Sequence, residues 1–267
     1  MRQTISDIDG GRAFDWGRAS ADYARFRDIY PAQFYERLSA LRLGVAGQRV
    51  LDLGTGTGVL PRNMYRYGAQ WTGADINENQ IRCARKLTAE AGMDITYVVA
   101  AAEALPFPTA SFDVITACQC FMYFDKRIVL PKLHALLANG GHLAIIFMTW
   151  LPCESDIAAK SEEIILNHNP DWTGAHWKRK PVVMPDWAAP LFALSDAVAY
   201  DVSVRFTRES WHGRIRASRG IGASSLSDEA IVAWEAEHTA YLATVPHEFD
   251  IPHYVTVLNL ERRSQCQ

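Results

Sequence analysis

The chain has 267 residues, 49% of them hydrophobic and 21% charged, which suits one large α/β domain with additions and a substantial buried core. Its net charge of −3 argues against a partner held by neutralising many phosphates, so nucleic acid is not expected. No stretch approaches the roughly 20 apolar residues that span a bilayer, and the opening MRQTISDIDGGRAFDWG has no apolar signal core.

Residues 1–42 read as a helical lead-in dense with aromatics and arginines (FDWGRASADYARFRDIYPAQFY). Residues 50–53 are a short buried strand, 59–67 a helix stopped by Gly68, and 71–75 a second strand. Asn77 with Gln80 predicts a cap for a helix over 79–91, where Ile81, Ala84, Leu87 and Ala91 recur at helical spacing. Strands follow at 95–100 and 113–118, then a helix over 126–137 ended by NGG at 139–141. A fifth strand, 142–148, is almost wholly apolar, as strands buried on both faces are.

The rhythm then breaks. Residues 150–195 are irregular and rich in Pro and Trp, followed by a strand at 198–206, helices at 207–218 and 227–242, and a closing strand at 251–260. Strands alternating with helices predict a parallel sheet covered on both faces, completed by a late strand pair. We expect a single domain: 1–42 as lid, 43–149 as core, 150–195 as insertion, and 196–267 as the last two strands with a helical cap.

The five cysteines (Cys83, Cys118, Cys120, Cys153 and Cys266) are odd in number and irregularly spaced. That favours buried thiols in a reducing cytoplasm over a disulfide framework, and their spacing suits no metal. His168 and His176 lack a third ligand, so no metal is expected there either.

Three glycines, Gly54, Gly56 and Gly58, follow the first strand in VLDLGTGTGVLPRN. Glycines at a strand–helix corner allow positive φ and let a nucleotide or a carboxylate approach the backbone. The dinucleotide fingerprint needs glycine where this chain has Val59, which disfavours a nicotinamide cofactor. Asp75, 21 residues after Gly54, ends the second strand where a carboxylate can take ribose hydroxyls.

VLDLGTGTG, GADI (73–76), AAEALPF (101–107), SFDVITACQ (111–119) and LLANGGHLAI (136–145) together resemble the ordered motifs of class I S-adenosylmethionine-dependent methyltransferases. The lead-in resembles the cofactor-covering N-terminal helix of small-molecule members similar to trans-aconitate methyltransferase. The resemblance implies a doubly wound, mostly parallel, Rossmann-like seven-stranded sheet with helical cap insertions. It implies S-adenosyl-L-methionine as cofactor, S-adenosyl-L-homocysteine as product and a small-molecule acceptor. Gly54, Thr55 and Gly56 would line the methionine part, with Asp52 orienting their loop. Asp75 would take the ribose, Ile76 pack on the adenine, Ala102 and Glu103 flank its edge, and Gln119 lie near the methyl-transfer centre. Many relatives carry Asp where this chain has Ala101.

A sulfonium methyl is already activated, so the protein must align the acceptor, exclude water and, for hydroxyl or ammonium acceptors, remove a proton. His212 is the candidate base; its other reading is a surface histidine beside a core tryptophan, Trp211. Trp211, Arg214 and Tyr123 are candidate acceptor contacts. Arg214 is the choice among Arg205, Arg208, Arg214, Arg216 and Arg219 if one turns inward; the alternative is a solvated face. The tryptophans at 150, 172, 177, 187 and 211 either wall an acceptor pocket or pack the insertion, Tyr23 and Tyr30 either close over the cofactor or anchor a helix, and His253 reads as structural.

Overall fold

A computed structural model describes residues 3–264, so Cys266 lies outside the described residues. The chain forms two compact units: a core unit of residues 30–148, 181–200 and 255 onward, and an accessory unit of residues up to 29, 149–180 and 201–254.

The chain forms a seven-stranded, mostly parallel sheet in the order β3-β2-β1-β4-β5-β7-β6. The strands are β1 Arg49–Leu53, β2 Gln70–Asp75, β3 Thr96–Val99, β4 Phe112–Cys118, β5 Leu137–Trp150, β6 Phe192–Thr207 and β7 Glu248–Arg262. The pairs β1–β2, β1–β4, β2–β3 and β4–β5 are parallel. Val50, Leu51, Val114, Ile115, Leu143 and Ile146 are fully buried, which is why these strands read as apolar runs.

Three helices of the core unit follow the strands: α3 Val59–Met64, α4 Glu78–Glu90 and α5 Lys126–Leu136; a fourth, Ala32–Ala40, precedes β1. Asn77 Oδ1 accepts from the N–H groups of Asn79 and Gln80 at 3.0 and 3.3 Å, the expected cap. The glycine pair at 140–141 does not end the helix cleanly. It lies inside β5, where the register shifts between Phe112 and Val114 and Gly140 takes φ +70°, so the expected turn is a bulge. Strand β6 begins at Phe192, earlier than expected, because Arg263 N and Nε bond the carbonyls of Leu191 and Phe192.

The accessory unit carries Ser20–Phe26 (with Ala32–Ala40 named above, these are α1 and α2), α6 Asp156–His168, α7 Arg208–Arg216 and α8 Asp228–Leu242. Helix α6 occupies sequence expected to be irregular. Ser155 caps it by accepting from Ala158 N, and its buried face includes Ser161 and Glu162, two polar residues that interrupt the apolar pattern. Both are satisfied inside the fold: Trp150 Nε1 donates to Glu162 at 2.6 Å and Trp211 Nε1 to Ser161 at 2.9 Å. Helix α1 meets α7 closely: a Cβ on Gly213 would lie 2.4 Å from the Phe26 ring.

Candidate active site

In the core unit the loop after β1 folds over the carboxyl ends of β1 and β2. Gly54, Gly56 and Gly58 all adopt positive φ (+56°, +56° and +75°), which side chains rarely tolerate. The turn is also crowded: a Cβ on Gly54 would lie 2.8 Å from Cys120 Cβ, and one on Gly58 2.3 Å from the Tyr97 hydroxyl. Thr55 N donates to Ala74 O at 3.0 Å and Gly58 N to Thr55 O at 2.9 Å, pinning the loop to β2.

Asp75 completes this frame. Its Oδ2 accepts from Gly56 N at 2.9 Å and its Oδ1 from Asn77 N at 2.8 Å. A carboxylate oxygen can accept more than one hydrogen bond, so Asp75 retains capacity for a ligand diol while it holds the loop. Burial raises its pKa, and the two backbone N–H groups oppose that shift.

Asp52 lies beneath the loop and is only 2% exposed. The Thr116 hydroxyl bonds its Oδ1 at 2.7 Å. Burial pushes its carboxyl up to about 7, with the Thr116 and Thr55 hydroxyls opposing and the charge of Asp75 adding. Asp52 therefore sits between its two protonation states near neutral pH.

Other candidates border the same strand ends. Ala102 is buried and begins a short turn, Ala102–Ala104, following Ala100, whose N–H bonds Asp75 O at 2.9 Å. Glu103 Oε1 accepts from Asp125 N at 3.0 Å, so one of its oxygens supports the start of α5. Ile76 is half-buried directly after Asp75. Gln119 takes φ +66°, its N–H bonds Ile146 O at 2.9 Å and its side-chain amide donates to Met148 O. Tyr123, half-buried, ends a short turn over Phe121–Tyr123, and Cys118 Sγ lies 3.6 Å from the Tyr30 hydroxyl.

The accessory unit places the remaining candidates. Tyr23 sits on α1 with its ring edge-on to Trp16 and the Arg27 guanidinium over its face. Trp211 is fully buried on α7. His212 is half-buried and stacked on Trp234, with its Nδ1 2.9 Å from His238 Nδ1. Burial lowers the pKa of His212, opposed by Glu235. Arg214 is the inward-turned arginine, buried with its guanidinium 4.9 Å from the centre of the Trp150 ring. Arg205 pairs with Glu248 and Asp250, Arg216 with Asp22 and Glu235, Arg219 with Asp9, and Arg208 bonds the Val245 carbonyl.

Trp150, Trp172 and Trp211 are buried packing residues, Trp187 stacks on Phe121, and Lys180 lies over Trp177. His253 is buried and bonded to Ile251 O. Of the four described cysteines only Cys120 is buried; Cys83 and Cys118 are half-buried and Cys153 is exposed, unlike the uniform burial expected. Nothing in the local sequence announces Thr116, Ser161 and His238, because their partners lie 64, 50 and 26 residues away. Among the described residues, no cluster of three or more His, Cys, Asp or Glu is arranged to hold a metal.

Residues 51–145 match the family model described as a methyltransferase domain. A ubiquinone biosynthesis O-methyltransferase of Xanthomonas axonopodis pv. citri (strain 306) is 33% identical over 191 residues, covering 70% of this chain and 79% of that protein. The chain belongs to the S-adenosylmethionine-dependent methyltransferases. A demethylmenaquinone methyltransferase of Thermus thermophilus is 37% identical over 109 residues, 40% of this chain and 50% of that one. The methyltransferase fold is also that of the YcgJ protein from Bacillus subtilis, which superposes with a TM-score of 0.54 at 17% identity over 87% of this chain and 99% of that one. This methyltransferase uses S-adenosylmethionine and acts on a small molecule.

Proposed function

We propose that this methyltransferase methylates a hydroxyl oxygen on a small aromatic ring of the quinone-precursor type. The reading is carried by the relative of Xanthomonas, whose name states O-methylation in ubiquinone biosynthesis and which matches 70% of this chain. The Thermus relative, named for demethylmenaquinone, adds a second quinone-type acceptor.

The residues of the core unit suit the cofactor. Crowding at Gly54 and Gly58 leaves backbone, not side chains, to face a ligand there, and the Asp75 carboxylate keeps lone pairs for a ribose diol. We assign the methionine part to Gly54, Thr55 and Gly56, the ribose to Asp75, and the adenine to Ile76, Ala102 and Glu103. Asp52 orients the loop from below, and Gln119 borders the methyl group. When bound, S-adenosylmethionine supplies a methyl carbon on a sulfonium sulfur, open to in-line displacement. Trp211, Arg214 and Tyr123 are assigned to acceptor binding. His212 takes the hydroxyl proton: it is half-buried, and burial keeps it neutral and able to accept at neutral pH. We also place the enzyme in the cytoplasm, on the odd and irregular cysteine content.

A panel of catechols and naphthoquinols, with carboxylic acids, amines and thiols alongside, scored for S-adenosylhomocysteine release, tests the reading. Turnover of the hydroxylated rings with a methoxy product supports it. Turnover confined to acids, amines or thiols, or a product methylated on carbon, refutes it.

A further inference from the structure

Asp52, buried beneath the glycine loop, pairs with no cation among the described residues. The side chains that bear on it are the Thr116 hydroxyl, bonded to its Oδ1 at 2.7 Å, the Thr55 hydroxyl, and the acid Asp75 of β2. Tyr97 of β3 and Cys120 after β4 both feel its charge, and burial keeps both neutral. The cations of the neighbouring helices act on Tyr97 instead: Arg85 of α4 bonds its carbonyl at 2.8 Å, and Arg62 of α3 lowers its pKa.

The loop above Asp52 offers acceptors rather than donors. The N–H groups of Thr55, Gly56 and Gly58 are spent on Ala74 O, Asp75 Oδ2 and Thr55 O at 3.0, 2.9 and 2.9 Å. The carbonyls of Gly54 and Gly56 receive no hydrogen bond from the described residues. An amino-acid end carries an ammonium and a carboxylate, and a loop of free carbonyls takes the ammonium, which has hydrogens to give. A positive charge brought over a buried carboxyl group favours its ionised form.

We propose that S-adenosylmethionine binds in exchange for a proton: its ammonium, received by the Gly54 and Gly56 carbonyls, drives the Asp52 proton into solvent. The proposal rests on the assignment of the amino-acid end to residues 54–56. The Asp52 O–H bond breaks, its electron pair stays on the carboxylate, and the proton goes to buffer. Without ligand, burial and Asp75 hold Asp52 at about 7, so at neutral pH about half the molecules have this proton to release. Lower pH refills the carboxyl group and weakens binding; higher pH strengthens binding until Asp52 is ionised throughout. Affinity therefore rises by up to about eightfold between roughly pH 6 and pH 7.5.

Calorimetry of S-adenosylhomocysteine, which has the same amino-acid end, in buffers of different ionisation enthalpy counts the protons released by the whole chain. Support is about half a proton per site at neutral pH, the stated rise in affinity, and loss of a protonated-carboxyl infrared band on binding. Asp52→Asn removes all of these, and the analogue lacking the amino group binds the wild type without release. The proton count and the infrared band are read on the wild type, so they decide the outcome whether or not Asp52→Asn folds. Binding with no proton released and a flat pH profile overturns the exchange, as does unchanged release in folded Asp52→Asn. Equal release by the amino-free analogue overturns the part given to the ammonium. No binding of S-adenosylhomocysteine at all overturns the assignment of the cofactor to this loop, and the exchange with it, a failure distinct from binding without release.

Discussion

Asp52 is a buried carboxyl group of the core unit that titrates far from its ordinary range. The unfolded chain ionises it near 3.8, the folded one at about 7. Between those values folding retains a proton that the unfolded chain has lost, so Asp52 disfavours folding more as pH rises across the window, levelling off above it. Asp52→Asn removes that dependence. Urea denaturation is expected to show the variant gaining on the wild type by up to about 4 kcal/mol between roughly pH 4 and pH 8; a constant difference would contradict the assignment. For Asp75→Ala, the loss of charge-assisted bonds of about 1.5–3 kcal/mol should weaken S-adenosylhomocysteine by roughly tenfold to a hundredfold in calorimetry. Unchanged affinity would remove Asp75 from the ribose. Both acids are legible in the sequence because they lie in the last two residues of consecutive strands, each two positions from a glycine. Their partners are not: Thr116 meets Asp52 only once β1 and β4 pair, and nothing near Asp75 announces that it also bonds Gly56 N.

At the scale of elements, glycine chemistry and capping carry the testable content. Gly58 combines φ +75° with a Cβ position 2.3 Å from the Tyr97 hydroxyl, itself bonded to Thr88 at 3.0 Å. Gly58→Ala is expected to cost about 1–3 kcal/mol by denaturant melting, from left-handed strain and the displaced tyrosine. A neutral effect would mean the loop relaxes freely. Ser155→Ala should cost about 1 kcal/mol by removing the α6 cap, read as a lower melting temperature. The first five strands and the helices between them are legible because burial on both faces writes continuous apolar runs and helix ends carry Asn or Gly. Helix α6 is not, because Ser161 and Glu162 occupy its buried face to satisfy two tryptophan N–H groups.

For the whole molecule, the ordered motifs imply the family and the strand order agrees: β1 lies between β2 and β4, so the glycine loop and Asp75 meet at adjacent strand ends. Among the described residues no helix is long and apolar enough to cross a membrane. What the sequence leaves unread is the assignment of residues to units, since the accessory unit gathers three separate stretches of chain. The most direct measurement is a crystal structure grown with S-adenosylhomocysteine. The account predicts its ribose hydroxyls on the Asp75 carboxylate and its amino-acid end against the backbone of residues 54–56. Crystals with the compound bound elsewhere, or with those strand ends bare at saturating concentration, would contradict it.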